Sequence, residues 1–447
     1  MMRALAIALA FVSAHAEADQ FRRWQRNTRS TTSASAALFE FAPLSGAGLS
    51  AACACTDVAP ATGGILFLFR ATSAVCLKQG LARTGIVNGD AVTCGNHLPR
   101  IESDGTALGL LTEPTRINRI QYSDDVATAP WGLAAGGGAP GSTAVSAVAT
   151  GPDGVANSAS RLAVGACPNA GAHYSLAYQA YTATGLVPQS GSAFIKGYSG
   201  SGTIAMYLYD GTSGVQITCS YNSTTWTWCG GPGAPLVYTP GSVNMQLGIG
   251  CTNTSIPGHS DTGAADVLVW GANAQEGAYP TNPIQTTSAI ATRNAELSNV
   301  YEDLVTDLAF PGAPFSLSAY FTSEAASGGS VPVAIFDGLY NYTDQTTDGM
   351  AVTIRSNLLR FTTNQSGSAS ITYSPTYTAG STHMVGGVNS GGSSTLYYDD
   401  AIVAGPTVTN TANAFLSPQI GNAALTTETT SGIVSRICFD PTTRCVP

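Results

Sequence analysis

The sequence predicts an all-β protein, with a small N-terminal β region followed by two β-sandwich domains of the jelly-roll type. Only 10% of the 447 residues are charged, against about 25% in an ordinary soluble domain. Many short segments alternate apolar and polar residues with the period of a β-strand, and turn-forming residues separate these segments. A series of short strands at this spacing is typical of sandwiches and jelly rolls.

The charge balance argues against a nucleic-acid partner. The chain contains 18 Lys and Arg against 27 Asp and Glu, which gives a net charge of −9. Such a chain offers no basic surface to neutralise phosphates. Its hydrophobic content of 44% is high enough to bury more than one core.

Residues 1–16 have the pattern of a secretory signal. Arg3 precedes an apolar run from Ala4 to Val12, and small residues follow at Ala14 and Ala16. The run is too short to cross a bilayer, and no other segment is long and apolar enough to do so. We expect export, with an apolar segment buried in an assembly as the alternative.

The rest of the chain divides into three parts. Residues 17–109 contain a polar arm and a small cysteine-containing β region, in which Asn88-Gly89 is a strong hairpin signal. Residues 110–295 carry the strand pattern of a jelly roll resembling carbohydrate-binding domains, and end in the Pro-rich connector Tyr279–Pro283. Residues 296–447 carry a second set of strands, which predicts another sandwich.

The ten cysteines predict disulfide bonds rather than a metal site. Metal sites favour repeated Cys-x-x-Cys pairs or clusters of Cys and His. The only closely spaced pair here is Cys53 and Cys55, which has no matching second pair. Disulfide bonds indicate an oxidising environment at some stage of the protein's life.

Two disulfides are expected from local spacing. Cys219 and Cys229 bracket a polar turn and are expected to join two strands of one hairpin, and Cys438 and Cys445 to close a short loop. The remaining expected pairings are Cys167 with Cys251 and, among themselves, Cys53, Cys55, Cys76 and Cys94.

The sequence contains no recognisable catalytic motif. The nearest match to Gly-x-Ser-x-Gly begins at Gly197 and lacks the final glycine. The histidines outside the first sixteen residues match no metal-binding motif and are interpreted as structural or surface residues. They are His97, His173, His259 and His383. We therefore expect no catalytic residues, no bound metal or cofactor, and no enzymatic activity.

Two groups of residues are candidates for binding carbohydrate, because sugar rings stack on aromatic faces and sugar hydroxyls pair with amides and carboxylates. Trp226 and Trp228 share one face of a strand, with core packing as the alternative interpretation. The second group lies in the loop that follows Asp337, and its oxygen atoms could also hold Ca²⁺. Its members are Tyr340, Asn341, Tyr342 and Asp344.

Several sequence blocks occur in a fixed order between about residues 65 and 295. They are Phe69–Ala74, Gly85–Gly89, Leu98–Arg100, Gly109–Asn118, Gln121–Asp125 with Trp131, Val269–Glu276, Tyr279–Thr281 and Thr292-Arg293. This series resembles a module that recurs in bacteriophage tail-fibre and head-spike proteins.

The second sandwich resembles laminin-G-like and concanavalin A-like domains. The resemblance lies in the blocks Leu396–Asp400, Ile420–Asn422 and Gly432–Val434. In that family the first of these blocks usually ends in Tyr-x-Asp-Gly, whereas this chain has Asp400 in place of the glycine. We therefore expect the turn at Asp400 to differ from the turn of that family.

These resemblances imply a virion structural appendage, either a fibre or a head spike. Its N-terminal region would attach to other virion structural proteins, and its sandwiches would bind polysaccharide on the host cell surface. The alternative is a secreted bacterial lectin-like protein or adhesin, and a polysaccharide-degrading enzyme is a third class. The first hypothesis places the chain on the virion surface and the second in the extracellular space. A homo-oligomer is compatible with either.

Overall fold

The computed structural model describes part of the chain, and all of the described residues belong to one compact unit, Ala37–Pro447. The described ranges are 39–40, 66–69, 72, 74–77, 85–94, 100–103, 108–167, 173–232, 234–252, 263–294, 297–300, 315–323, 333–337, 349–355, 358–364, 368–377, 381–390, 393–408, 419–420 and 432–440. The predicted signal at residues 1–16 lies outside them.

Within these ranges the regular secondary structure consists of thirty strands, which confirms the all-β class. The first ten are β1 (Phe39–Glu40), β2 (Leu66–Phe69), β3 (Ala74–Leu77), β4 (Ala91–Cys94), β5 (Ile101–Ser103), β6 (Leu108–Thr112), β7 (Arg116–Asn118), β8 (Gly132–Gly136), β9 (Thr143–Ala149) and β10 (Ala159–Val164). The next ten are β11 (Tyr174–Thr182), β12 (Gln189–Gly197), β13 (Gly202–Tyr209), β14 (Gly214–Tyr221), β15 (Thr227–Cys229), β16 (Leu236–Tyr238), β17 (Asn244–Thr252), β18 (Ala265–Glu276), β19 (Ala291–Arg293) and β20 (Leu297–Val300). The last ten are β21 (Phe315–Ser323), β22 (Val333–Asp337), β23 (Gly349–Arg355), β24 (Leu358–Asn364), β25 (Ser368–Tyr373), β26 (Thr382–Ser390), β27 (Ser393–Tyr398), β28 (Ala401–Val408), β29 (Gln419–Ile420) and β30 (Gly432–Asp440). The described part of the chain has no helix that is long and apolar enough to cross a membrane.

Two antiparallel sheets form the jelly roll. A six-stranded sheet has the order β15-β12-β18-β10-β9, with β16 also paired to β12, and a five-stranded sheet has the order β14-β13-β17-β11-β8. Alternate side chains of each strand point to opposite faces, so Ile195 and Val267 of the first sheet meet Leu208 and Leu247 of the second in one shared core. This core separates two outer faces.

Two disulfides lie in the jelly roll. Cys167 is bonded to Cys251 and Cys219 to Cys229, with Cα–Cα distances of 6.0 Å and 5.7 Å. Both pairings agree with the sequence prediction. The second bridge does not join paired strands of one hairpin, however, because Cys219 lies in β14 of the five-stranded sheet and Cys229 in β15 of the other. The Cys219–Cys229 disulfide instead links the two sheets of the jelly roll covalently.

The other predicted disulfides are only partly described. Cys76 and Cys94 are disulfide-bonded. Cys53, Cys55 and Cys445 lie outside the described residues, and for Cys438 the structure describes the backbone alone. Their pairings stay predictions.

A second core lies on the outer face of the six-stranded sheet. There the two-stranded sheet of β3 and β4 packs on β12, β15 and β18. The ring of Phe194 stacks on Trp228 at 5.4 Å between ring centroids and meets the edge of Trp270 at 5.5 Å. Trp226 donates its indole N–H to Oδ1 of Asn88 at 2.9 Å. The small cysteine-containing region is thereby held on the jelly roll.

The C-terminal sandwich also consists of two sheets. One has the order β28-β27-β26-β21-β30-β6-β5 with β1 paired to β30, and the other has the order β2-β20-β29-β22-β23-β24-β25. Tyr373 of one sheet contacts Tyr398 of the other at 5.8 Å between ring centroids. Strands β1, β2, β5 and β6 precede the jelly roll in the sequence, whereas the other strands of this sandwich follow it. The sandwich is therefore built from both ends of the chain.

The jelly roll is connected to this sandwich through the short pair β7 and β19. Its register places Asn118 opposite Ala291. The fully buried Asn118 side chain donates to the carbonyls of Ala272 and Ile284 and accepts from the N–H groups of Ile120 and Ala274. All of its hydrogen-bonding capacity is used to fix the point where the chain enters the jelly roll.

A buried ionic cluster, which we call the Glu113 cluster, lies beside this connection. The carboxylate of Glu113 contacts Arg100 at 2.6 Å and Arg293 at 2.8 Å, and these side chains are at most 1% exposed. Nearby, Glu102 accepts hydrogen bonds from the backbone N–H of Leu77 at 2.8 Å and from the side-chain amide of Asn282 at 2.7 Å. The Glu113 cluster therefore binds together the small N-terminal sheet, the C-terminal sandwich and the connector.

We expect Glu113→Gln to lower the free energy of unfolding by about 3 to 5 kcal/mol, because it removes the carboxylate that two buried guanidinium groups share. Urea denaturation followed by tryptophan fluorescence measures the loss. The matched control is Arg161→Met, which breaks an exposed ion pair with Asp266 and should cost about 1 kcal/mol or less. Equal losses for the two variants would contradict a special role for the Glu113 cluster.

A half-buried carboxylate ties the first loop of the jelly roll to its last strand. Asp124 accepts hydrogen bonds from the N–H of Gly271 at 3.0 Å, from the amide of Gln285 at 3.1 Å and from the hydroxyl of Ser123 at 3.1 Å. Burial outweighs these hydrogen bonds and raises the pKa of Asp124 to about 6. A folded-state pKa above the ordinary value favours the protonated side chain in the folded protein.

We expect the contribution of Asp124 to stability to be complete below about pH 4 and to be lost as the pH rises through 6. Between these values the folded protein, with its raised pKa, binds more of the proton than the unfolded chain does, so raising the pH destabilises the folded state. The difference in free energy of unfolding between the wild-type protein and Asp124→Asn should change by about 2 kcal/mol from pH 4 to pH 7. Denaturation of both proteins across this range measures it. A difference that does not vary with pH would refute the assignment.

Candidate functional site

The structure places the predicted sugar-binding tryptophans in the protein interior. Trp226 is 1% exposed and Trp228 is 7% exposed, and both pack in the core beneath the small N-terminal sheet. Neither indole offers a face to a sugar ring, so we remove both from the candidate site. The physical reason is that the outer face of their sheet is covered by β3 and β4.

The second predicted group lies outside the described residues. It consists of Tyr340, Asn341, Tyr342 and Asp344. Among the described residues no group of three or more His, Cys, Asp or Glu side chains could hold a metal ion.

The outer face of the five-stranded sheet carries a different set of aromatic residues. In β13, Ile204, Met206 and Leu208 point into the core, so Tyr207 and Tyr209 point outward. In β11 the outward positions include Tyr174, Leu176 and Tyr178, which pack with these two tyrosines in a separate cluster. We call Tyr174, Tyr178, Tyr207, Tyr209 and the neighbouring Gln216 the tyrosine face.

The tyrosine face is built on glycines of the adjacent strands. The register aligns one row across all five strands, and its members in order are Gly132, Tyr178, Gly248, Tyr207 and Gln216. A Cβ atom on Gly248 would overlap the ring of Tyr207, and one on Gly132 would lie 2.9 Å from the ring of Tyr178. The rings therefore lie flat over backbone that has no side chain, in the manner of aromatic rings that cover strand glycines.

The four tyrosines of this face differ in burial. Burial, followed by the neighbouring Tyr178 and Tyr209, raises the pKa of Tyr207, so its hydroxyl keeps its proton. Tyr174, Tyr178 and Tyr209 are each half-buried. Tyr207 is 5% exposed, so the rings with an accessible side are those of Tyr174, Tyr178 and Tyr209, which can both stack on a ligand and hydrogen-bond to it.

Gln216 adds an amide with unused hydrogen-bonding capacity. Its residue is 7% exposed, and neither of its amide atoms has a hydrogen-bond partner among the described residues. A buried polar group without a partner costs about 1 to 3 kcal/mol. A ligand hydroxyl at this position would supply both a donor and an acceptor.

Sequence reasoning did not identify the tyrosine face, although Tyr207 and Tyr209 have the spacing of residues on one face of a strand. Period-two spacing shows that two residues share a face and does not show which face is buried. Tyr181 lies in the same strand as Tyr178 and belongs to the jelly-roll core. The two differ by an odd number of positions, and only the sheet packing decides which is outward.

Neither a protein-family model nor a curated protein matches the sequence. Among solved structures, the chain is similar to a crystal structure of a mutant of HCR/D, with 9% identity and a TM-score of 0.26 over 34% of this chain and 37% of that one. It is similar to HCR/D-Sa-GBL1/C with 16% identity and a TM-score of 0.26, over 33% and 38% of the two chains. It is also similar to domains LG4-5 of the mouse laminin alpha1 chain, with 11% identity and a TM-score of 0.22, over 58% and 84%. The chain thus spans little more than a third of the first two structures, and scores this low support no conclusion about a ligand.

Proposed function

We propose that the chain binds a neutral polysaccharide through the tyrosine face. The observation that carries this proposal is the row of tyrosine rings lying flat over glycines next to the unpartnered amide of Gln216. Flat rings stack on the apolar face of a sugar ring, and an amide can both donate to and accept from sugar hydroxyls. A surface of this shape and chemistry fits a chain of sugars better than it fits a charged ligand.

The charges of the protein support a neutral ligand. All members of the tyrosine face are uncharged side chains, and the whole chain has a net charge of −9. An acidic polysaccharide would be repelled over long range by such a protein. We propose that the tyrosine face binds its ligand without cleaving glycosidic bonds.

We propose further that the chain is displayed on a phage-like particle as a fibre or spike and binds polysaccharide of the host cell surface. The ordered sequence blocks between about residues 65 and 295 support this setting. The disulfides support passage through an oxidising environment. A secreted lectin-like protein is the second candidate, and the signal-like pattern of residues 1–16 favours it.

Glycan binding should depend on the tyrosine face. We expect Tyr178→Ala to weaken binding at least tenfold, because aromatic contacts dominate such interfaces. Gly248→Ala should weaken binding as well, because the added Cβ displaces the ring of Tyr207. A glycan array selects the ligand, isothermal titration gives the Kd, and an assay for new reducing ends tests cleavage.

Two matched controls accompany these variants. Tyr198→Ala removes a tyrosine that is 48% exposed and stacks under Arg161 on the other sheet, and Gly141→Ala adds a Cβ into open space. Both should leave Kd unchanged. Unaltered binding by Tyr178→Ala, or new reducing ends in the wild-type sample, would contradict the proposal.

Display on a particle has its own test. Immunogold labelling of purified particles with an antibody against residues 296–447 should mark the particle surface. Labelling of the host envelope alone would rule out the appendage. In that case a mature chain that begins at Glu17 would support the secreted lectin-like protein.

A further inference from the structure

Three side chains at one end of the C-terminal sandwich form a continuous chain of hydrogen bonds. The hydroxyl of Ser381 lies 2.7 Å from Nε2 of His383. Nδ1 of the same imidazole lies 2.8 Å from Oδ2 of Asp399. The order of atoms is that of a serine nucleophile, a histidine base and a carboxylate that orients the base.

Strand geometry brings these residues together. Ser381 directly precedes β26 and His383 lies in it, while Asp399 begins the turn between β27 and β28. The Asp399 N–H donates to the carbonyl of Met384 at 2.9 Å, and its Oδ1 accepts from the N–H of Met384 at 3.0 Å. Asp399 is thus held to β26 by its backbone and its side chain.

The turn that presents Asp399 is a two-residue hairpin turn between β27 and β28. Asp399 has φ 47° and Asp400 has φ 64°, which is the left-handed geometry that both central residues of a type I′ hairpin turn adopt. Asp400 stands where the family resembled by this domain usually has glycine. This tight turn fixes the position of Asp399 beside His383.

Aromatic rings fix the plane of the imidazole. His383 stacks on Tyr398 at 5.0 Å between centroids with 19° between the planes, and Phe321 and Tyr377 lie at 6.2 Å and 6.0 Å. The His383 side chain is 14% exposed. Nδ1–H of His383 donates a hydrogen bond to the Asp399 carboxylate, which leaves the lone pair of Nε2 facing the hydroxyl of Ser381.

We infer that Ser381, His383 and Asp399 hydrolyse carboxylic esters. Ser381 Oγ attacks the acyl carbon while Nε2 of His383 takes the hydroxyl proton. The bond to the alcohol oxygen breaks, and the protonated imidazole returns the proton to the departing alcohol, which leaves an acyl ester on Ser381. Water then attacks this ester, with His383 taking one proton from the water and returning it to Ser381 Oγ, and a carboxylic acid is released.

The substrate class follows from this chemistry together with the proposed function, on which this step rests. A protein that binds a neutral polysaccharide meets esters in the form of O-acyl groups on sugar hydroxyls. Cleavage of such an ester leaves the glycosidic bonds intact. The inference adds deacylation to the proposed binding and replaces the sequence-based expectation that the chain has no catalytic residues.

A fluorophosphonate probe tests the nucleophile without any glycan. We expect the full-length protein to form a covalent adduct that peptide mass spectrometry locates on Ser381, and Ser381→Ala to lose it. Ser213→Ala is the control, because this exposed serine is hydrogen-bonded to Tyr238 instead of to a histidine. Its labelling should equal that of the wild-type protein.

The role of Asp399 as a positioning residue has a separate readout. Asp399→Asn keeps a residue that tolerates positive φ and removes the charge that selects the imidazole tautomer. We expect kcat for p-nitrophenyl acetate to fall about 100-fold or more with KM unchanged, while the near-UV circular dichroism stays that of the wild-type protein.

The outcomes separate this inference from the proposed function. Absence of an adduct on Ser381 in folded protein, or equal labelling of the wild-type protein and Asp399→Asn, would show that the three residues only brace the turn. Loss of glycan binding in Tyr178→Ala with normal labelling of Ser381 would support both proposals. Normal labelling without glycan binding by the wild-type protein would overturn the proposed function and the O-acyl sugar substrate, and would leave an esterase of small esters.

Discussion

The balance of charge around Glu113 is the constraint on which the arrangement of the chain depends. Two guanidinium groups, from Arg100 and Arg293, meet the carboxylate of Glu113, and the carboxylate of Glu102 lies in the same buried region. Two positive and two negative groups therefore leave water together. Since an unpaired ion in a protein interior is strongly unfavourable, the segments that carry these residues must dock in one arrangement. The buried charged groups therefore define how these segments dock more narrowly than apolar packing alone would.

Local patterns in the sequence were sufficient for the strands and for part of the covalent structure. The alternation in Thr203–Tyr209 and Asp266–Trp270 predicts strands, and these segments lie in β13 and β18. Cys219 and Cys229 could be paired from the turn between them. Their placement in different sheets could not be predicted, because the turn that separates two strands does not determine whether they hydrogen-bond to each other.

Features that depend on contacts between distant parts of the chain could not be predicted from local sequence patterns. Trp228 lies in β15 and Trp226 directly precedes this strand, but their burial is caused by β3 and β4, which lie far away in the sequence. The same limit applies to His383 and Asp399. They are separated by a hairpin, and no short motif links them, so their contact arises from the register that sets Val385 opposite Tyr398.

The pairing of β2 with β20 and of β6 with β30 has a consequence for how the molecule is assembled. In topological terms the jelly roll is an inserted domain. The paired strands β7 and β19 are the two connections between this insert and the host sandwich. During synthesis the whole insert emerges before β30, which is the last strand that the structure describes, so the pairings of β1, β6 and β21 with β30 form after it. Contacts between residues so far apart in sequence make for slow folding. Until β30 is made, β1 and β6 lack this partner strand, and unpaired strand edges are prone to aggregation.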